Sequence, residues 1–243
     1  MKVWCIIPAA GLGTRMTAAG TGATAPKQFV SLRGTPIVVR TLRAFAACAP
    51  VHRIVVATLE SAVAKMQAEI ARYGLEQKTE VVAGGENRQE SVAKALGHVS
   101  GDPEDIVLVH DAVRPLVTAG LIESVIAAAE KHGAAISGIP AVDTIKQVDR
   151  TAEGAIVTAT IPRERVVQAQ TPQGFRLEIL RKAFAEAASD GFLGTDEASL
   201  VERAGFQVEV VMGSPRNLKI TTPGDLALAE FYLDLREREV KEL

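Results

Sequence analysis

Short apolar runs alternate with helix-period segments from Val3 to Pro140, and this alternation constrains the fold more than any other feature of the sequence. Val3–Ile7, Arg53–Ala57, Glu80–Ala83, Ile106–Val109 and Ala134–Pro140 read as buried strands. Between them lie helical patterns. Ile37, Val38, Leu42 and Phe45 share one face, with Thr35-Pro36 expected to start that helix as N-cap and first residue. Val63, Met66 and Ile70 mark a second helix ending before Gly74; Val92 and Leu96 mark a third. Thr118 caps a fourth, through Leu121, Ile122, Val125 and Ile126 to Gly133. Strands alternating with helices imply parallel βαβ units in one doubly wound sheet. Such sheets bind ligands beyond the carboxyl ends of their strands. The loop at Pro8, Gly84-Gly85 and His110-Asp111 all fall at such ends and can converge.

The rhythm then breaks. Residues 142–170 show no amphipathic helix, and two β-rich runs, Thr144–Val148 and Ala155–Thr160, flank a turn at Glu153-Gly154. This predicts a hairpin arm projecting from a single domain of 243 residues. Two-stranded ribbons are barely stable alone, so the arm is expected to serve assembly. Helices resume at Leu177, Leu180 and Phe184, then after Thr195, read as an N-cap; Gln207–Met212 is a strand, and Thr222-Pro223 caps the last helix.

The loop after the first strand, Pro8-Ala9-Ala10-Gly11-Leu12-Gly13-Thr14-Arg15, suits an anion. Gly11 and Gly13 permit conformations closed to other residues, and successive N–H groups can cradle phosphate. Arg15 adds a planar charge and Lys27, in Pro26-Lys27-Gln28, a mobile one. A Walker loop is excluded because Gly-Lys-Ser/Thr is missing, and a dinucleotide fingerprint because Met16 stands where its third glycine belongs. A turn that binds nothing is the plainer alternative. Adding Pro26-Lys27-Gln28 favours a triphosphate site.

A net charge of −2 with scattered lysines and arginines argues against nucleic acid as a partner. With no apolar stretch of membrane-spanning length and no signal-peptide pattern, a cytoplasmic location is expected. Cys5 and Cys48 sit in apolar runs and read as buried thiols. His110 reads as a packed strand-end residue, and His52, His98 and His132 as surface or helix-end residues.

Taken in order, the motifs resemble those of a known family. Pro8-Ala-Ala-Gly-x-Gly-x-Arg-Met16, Pro26-Lys-Gln28, Gly84-Gly-x-x-Arg-x-x-Ser91, His110-Asp-Ala-x-Arg-Pro115, Asp143-Thr-Ile-Lys146, Thr171-Pro-Gln173, Thr195-Asp-Glu-Ala-Ser199 and Asn217-x-Lys-Ile-Thr221 match the methylerythritol phosphate cytidylyltransferases of the non-mevalonate isoprenoid pathway. The resemblance implies a Rossmann-like nucleotidyltransferase fold, a homodimer interlocked by β-arms, and cytidylyl transfer from CTP to 2-C-methyl-D-erythritol 4-phosphate. It implies Mg²⁺ as cofactor. Arg15 and Lys27 would stabilise the α-phosphate at the transition state, with Lys219 orienting the acceptor phosphate. Pro8, Ala9, Ala10, Gly11 and Gly13 would cradle the nucleotide, and Gly85, Arg88 and Ser91 would line the base and ribose pocket. Asp111 would meet either substrate hydroxyls or the metal. Arg114 would touch substrate or pair structurally with a carboxylate. Thr195 would add a secondary contact, while Thr144 and Arg163 would reach the partner subunit's acceptor. Read without the resemblance, Arg163 and Lys219 are solvated surface charges.

The connection from Met16 to Pro26 is longer than the family's usual one, and its small residues predict a lid. Alternatives of neighbouring kind are a cytidylyltransferase for ribitol 5-phosphate and a nucleotide-binding regulator without catalysis. Pro8-Ala9-Ala10-Gly11 favours the methylerythritol phosphate enzyme over the first of these. Retention of Arg15, Lys27, Asp111 and Lys219 argues against the second.

Overall fold

The computed structural model describes residues 1–11 and 26–241. Gly13, Arg15 and the expected lid between Met16 and Ala25 lie outside the described residues.

The strands are β1 (Val3–Pro8), β2 (Ser31–Leu32), β3 (Thr35–Pro36), β4 (Val51–Thr58), β5 (Thr79–Ala83), β6 (Ile106–Val109), β7 (Ala134–Pro140), β8 (Ile145–Thr151), β9 (Gly154–Ile161), β10 (Val167–Arg176) and β11 (Glu209–Met212). The α-helices are α1 (Ile37–Ala46), α2 (Val63–Arg72), α3 (Arg88–Leu96), α4 (Ala119–His132), α5 (Leu177–Ser189), α6 (Glu197–Arg203) and α7 (Pro223–Lys241).

The central sheet runs β11-β7-β10-β6-β1-β4-β5. It is parallel except for β10, which runs antiparallel to both β6 and β7. The chain leaves β1 for β4 and β5 on one side, then returns to β6 on the other. The connections after β1 and β6 therefore diverge, opening a crevice at this switch point.

Alternation of side chains across the sheet explains why its strands read as continuous apolar runs. Cys5 and Ile7 face one layer, with Val38, Leu42 and Phe45 of α1, Met66 of α2 and Ile122 of α4. Trp4 and Ile6 face the other, with Val92 and Ala95 of α3, Leu180 of α5 and Val201 of α6. Cys5 and Cys48 are buried free thiols, as expected. A smaller cluster of Leu32, Ile37, Val113, Leu116, Ile220 and Ala229 ties the β2–β3 hairpin and α7 to the segment after β6.

The doubly wound α/β class is as expected, and three local expectations change. Thr35 and Pro36 form β3 rather than the start of α1; Ile37 opens the helix, and its N–H bonds Val30 O at 3.0 Å. Asp196, not Thr195, caps α6: its side chain accepts from Ser199 N–H in a capping box. The arm is shorter than 142–170. Ile145–Thr151 pairs antiparallel with Gly154–Ile161, but Val167–Gln170 already belongs to β10 in the central sheet. Gly11 does not use that freedom: its φ is not positive, and among the described residues a Cβ there would come within 4 Å of Lys27 Cε alone, at 3.9 Å. Thr118 and Thr222 cap α4 and α7 through Leu121 and Asp225 N–H groups.

Candidate active site

The crevice beyond β1 and β6 is lined by Pro8, Ala9, Ala10, Gly11, Lys27, Gly85, Arg88, Ser91, Asp111 and Lys219 among others. Sequence-predicted residues far apart in the chain thus meet on one wall. Arg114 lies beside it through its bond to Asp111. Thr195, Thr144 and Arg163 do not line the crevice in their own chain and are exposed.

The β1 loop is tied down rather than open. Ala9 N–H donates to Ala57 O at 2.7 Å, which commits that group to the sheet. Ala9 O accepts from the buried Gln28 side chain at 2.7 Å. Gln28 lies in a single 3₁₀ turn, Lys27–Phe29, so this bond fixes where Lys27 stands. Lys65 packs its ammonium 4.3 Å from the Phe29 ring centroid and braces the same turn. Gln28 had no assigned role at the sequence level; its place beside Lys27 was the only signal.

The two glycines after β5 are required by packing. A Cβ on Gly84 would approach Ser91 Oγ to 2.8 Å, and one on Gly85 would meet Glu90 Cβ at 2.3 Å. They let the loop lie against the start of α3. Ser91 is fully buried; its hydroxyl donates to Asn87 O at 2.8 Å and accepts from Gly85 N–H at 3.0 Å. It shapes this loop before it can offer anything to a ligand.

Asp111 is the electrostatic centre. Its Oδ2 lies 3.0 Å from Lys219 Nζ and 3.4 Å from Arg114 Nε, and its Oδ1 lies 3.5 Å from Arg88 Nε. Burial alone would favour the protonated form, yet Lys219, Arg88 and Arg114 hold the carboxyl well below the usual carboxylate range. Arg114 also donates to Asn217 O at 2.7 Å. Asn217 in turn donates to Thr171 O at 2.8 Å. These bonds fasten the segment carrying Lys219 to the end of β6. Arg88 gives its two terminal nitrogens to Glu197, at 2.7 and 2.9 Å. Glu197 and Asn217 lie within the matched motifs, but each acts by meeting a residue distant in sequence, which no local pattern reveals.

His110 is fully buried beneath Asp111. Its Nε2 lies 3.1 Å from Arg114 O, and its Nδ1 3.1 Å from Thr171 Oγ1. A carbonyl only accepts, so Nε2 carries the proton and Nδ1 accepts from the Thr171 hydroxyl. That hydroxyl also accepts from Asp111 N–H at 3.1 Å. A neutral imidazole thereby straps both ends of the Asp111–Arg114 turn. Burial, with smaller repulsion from Arg114 and Arg88, pushes its pKa down to about 4, against the opposing pull of its bond to Arg114 O and the charge of Asp111. The unfolded chain takes up this proton near pH 6.5, before the folded one does. His110 therefore favours folding fully above that pH, and its contribution is lost as pH falls toward 4. We expect unfolding free energy to drop by about 3 kcal/mol from this group between pH 7 and pH 4. Denaturant titrations of wild type and His110→Gln check this. The gap between them should narrow on acidification, and a gap independent of pH refutes the assignment.

A fold and crevice of this kind have known relatives. The family model described as 2-C-methyl-D-erythritol 4-phosphate cytidylyltransferase matches residues 3–235. A protein of that name from Acidobacterium capsulatum is 62% identical, over 97% of this chain and 99% of its own. One from Solibacter usitatus is 50% identical over 96% of each chain. The crystal structure of the enzyme so named from Thermus thermophilus superposes with a TM-score of 0.76 at 35% identity, covering 96% of this chain and 98% of that one.

Proposed function

The chain belongs to the 2-C-methyl-D-erythritol 4-phosphate cytidylyltransferase family, and from that premise we propose that the β1–β6 crevice is its active site. The enzyme transfers the cytidylyl group of CTP to 2-C-methyl-D-erythritol 4-phosphate, giving 4-diphosphocytidyl-2-C-methyl-D-erythritol and pyrophosphate. Family membership over nearly the whole chain favours this reaction over transfer to ribitol 5-phosphate or a purely regulatory role.

One observation carries the placement: Lys27 and Lys219 line the same crevice, with the ionised Asp111 held between cations. In the reaction an oxygen of the acceptor phosphate forms a bond to the α-phosphorus of CTP. The bond from that phosphorus to the bridging oxygen breaks, and its electron pair leaves with pyrophosphate. The nucleophile is already an anion, so the site needs no general base. What it must supply is fixed positive charge where anions meet. Lys27, with Arg15, serves the α-phosphate. Lys219, paired with Asp111 yet 39% exposed, has N–H groups left to donate to the acceptor phosphate. Pro8, Ala9, Ala10, Gly11 and Gly13 flank the nucleotide. Gly85, Arg88 and Ser91 wall the base end, Arg88 through its stem and charge because its fork is engaged. Arg114 holds Asp111, and Thr195, outside the crevice lining, is left with at most a secondary contact.

Mg²⁺ is the proposed cofactor. Magnesium usually takes one or two carboxylates and completes its shell with substrate phosphates and water. Asp111 would offer one such carboxylate oxygen, Oδ1, whose nearest cation stands at 3.5 Å, while Oδ2 stays with Lys219 and Arg114; the triphosphate would supply the rest. When bound, the ion would neutralise phosphate charge. The proposed assembly is a homodimer with Thr144 and Arg163 of the arm in the partner's site. Among the described residues no helix is long and apolar enough to cross a membrane, and the cytoplasm, with its CTP, is the proposed location.

The test is pyrophosphate release with CTP, ATP or GTP against a panel of polyol phosphates, with and without EDTA. Turnover should require CTP and methylerythritol phosphate and fall to background with EDTA. Equal turnover with ATP, or full activity in EDTA, overturns the base-pocket or metal assignment respectively.

A further inference from the structure

Glu197 is a carboxylate only 1% exposed, at the first turn of α6, and the reaction as derived above gives it no task. Both its oxygens accept from Arg88, at 2.7 and 2.9 Å. This is the fork-to-fork pairing that arginine and carboxylate prefer. It turns the remaining Nε toward Asp111 Oδ1, at a longer 3.5 Å. Asp111 Oδ2 stays with Lys219 at 3.0 Å and Arg114 at 3.4 Å.

The arrangement is a competition that Glu197 decides. Asp111 has two oxygens and three cationic neighbours, two of them arginines; Arg114 has committed one terminal nitrogen to Asn217 O, so Arg88, if released, is the one whose fork could take both oxygens at once. Arg114 cannot turn away, because Asn217 O accepts from it. Lys219 is half-exposed and can leave for water at little cost. An Arg88 freed from Glu197 would therefore displace Lys219 rather than Arg114.

We propose that Glu197 is a positioning residue: by occupying the Arg88 fork it keeps Asp111 paired with Lys219, and so fixes where Lys219 stands when the acceptor phosphate arrives. The proposal rests on the assignment of Lys219, the partner of Asp111, to the acceptor phosphate. It makes no claim that Glu197 touches substrate. A buried ion pair placed only for stability would affect both substrates alike, whereas this one acts on one end of the site.

The experiment measures steady-state kinetics for wild type, Glu197→Gln, Arg88→Met, the double variant and Lys219→Ala, varying CTP and methylerythritol phosphate separately. Glu197→Gln should raise KM for methylerythritol phosphate about tenfold, the scale of one hydrogen bond to a charged group, and leave KM for CTP within about twofold. Added to Arg88→Met, it should lower kcat/KM by less than about twofold further, since Glu197 acts through Arg88. That second comparison also serves if the single Glu197→Gln variant does not fold, because it removes both partners of the buried pair together. Equal effects on both substrates, or multiplicative losses in the double variant, overturn the proposal. Wild-type kinetics in Lys219→Ala would instead overturn the site assignment beneath it.

Discussion

Lys27→Ala is expected to lower kcat by about 10²- to 10³-fold, with KM for CTP changed only a few-fold; loss of a preorganised charge donor at the reacting phosphate has that size. Preorganisation is what the surroundings of Lys27 supply. Its turn is anchored by the buried Gln28 amide on Ala9 O at 2.7 Å and braced by Lys65 over Phe29. The ammonium therefore stands at the crevice before substrate enters. Negative charge on the α-phosphate grows as the fifth oxygen approaches, so an ammonium fixed there binds the transition state more tightly than the ground state. The triphosphate keeps its other partners, which is why binding should change little. Steady-state rates with CTP binding measured by calorimetry separate the two effects. A normal kcat with a raised KM would mean that Lys27 holds ground state and transition state equally.

Mixing two inactive variants is expected to restore activity. Arg163 is exposed at the root of the arm, where it donates to Val142 O at 2.7 Å, and it does not line the crevice of its own chain. The β8–β9 arm forms a separate two-stranded sheet with Val148, Ile156 and Val157 exposed at 42%, 63% and 57%. Exposed apolar side chains on a ribbon that joins no larger sheet call for a docking surface, and a two-fold dimer would supply one reciprocally. A guanidinium delivered from the partner can hold the acceptor phosphate bidentately, which lysine would not reproduce. Lys27→Ala and Arg163→Ala should each be nearly inactive. In a heterodimer of the two, one site carries both intact residues and the other carries neither. Activity should return to about half the wild-type rate per dimer, by counting sites under this symmetry. Differently tagged variants, co-expressed and purified as the heterodimer, provide the measurement. A verified heterodimer that stays inactive would mean that Arg163 acts within its own chain or that the sites are coupled.

How much of this was legible beforehand divides along a physical line. Local patterns carried the elements. Apolar runs with strand length, helical spacing at Leu42 and Phe45, Thr118 before α4 and Gly133 after it all depend on neighbours a few residues away. The turn of the arm at Glu153-Gly154 was legible for the same reason. The doubly wound class followed from the alternation, and the class placed the crevice at strand ends.

β10 was missed because its sequence, Val-Gln-Ala-Gln-Thr-Pro-Gln-Gly-Phe-Arg, is not a strand by composition. It becomes one by lying between β6 and β7, which supply backbone partners on both sides. Thr195 was read as a cap because Thr and Asp are both good caps; the choice fell to Asp196, whose second oxygen also accepts from Gln173 at 2.7 Å.

The site divides in the same way. By itself the sequence determined which charged and small residues stand at the ends of which strands, because those positions are set by local periodicity. Only the tertiary structure decided who pairs with whom. Arg88 meets Glu197 across 109 residues and Arg114 meets Asn217 across 103. Those partnerships exist because β6 returns beside β1 and α6 packs against the layer that holds α3. Asp111 is ionised against the effect of burial, by Lys219 and Arg88 brought in by that packing together with Arg114 three residues away, and His110 is neutral because it is buried; the distant cations and the burial are what the neighbouring sequence does not encode.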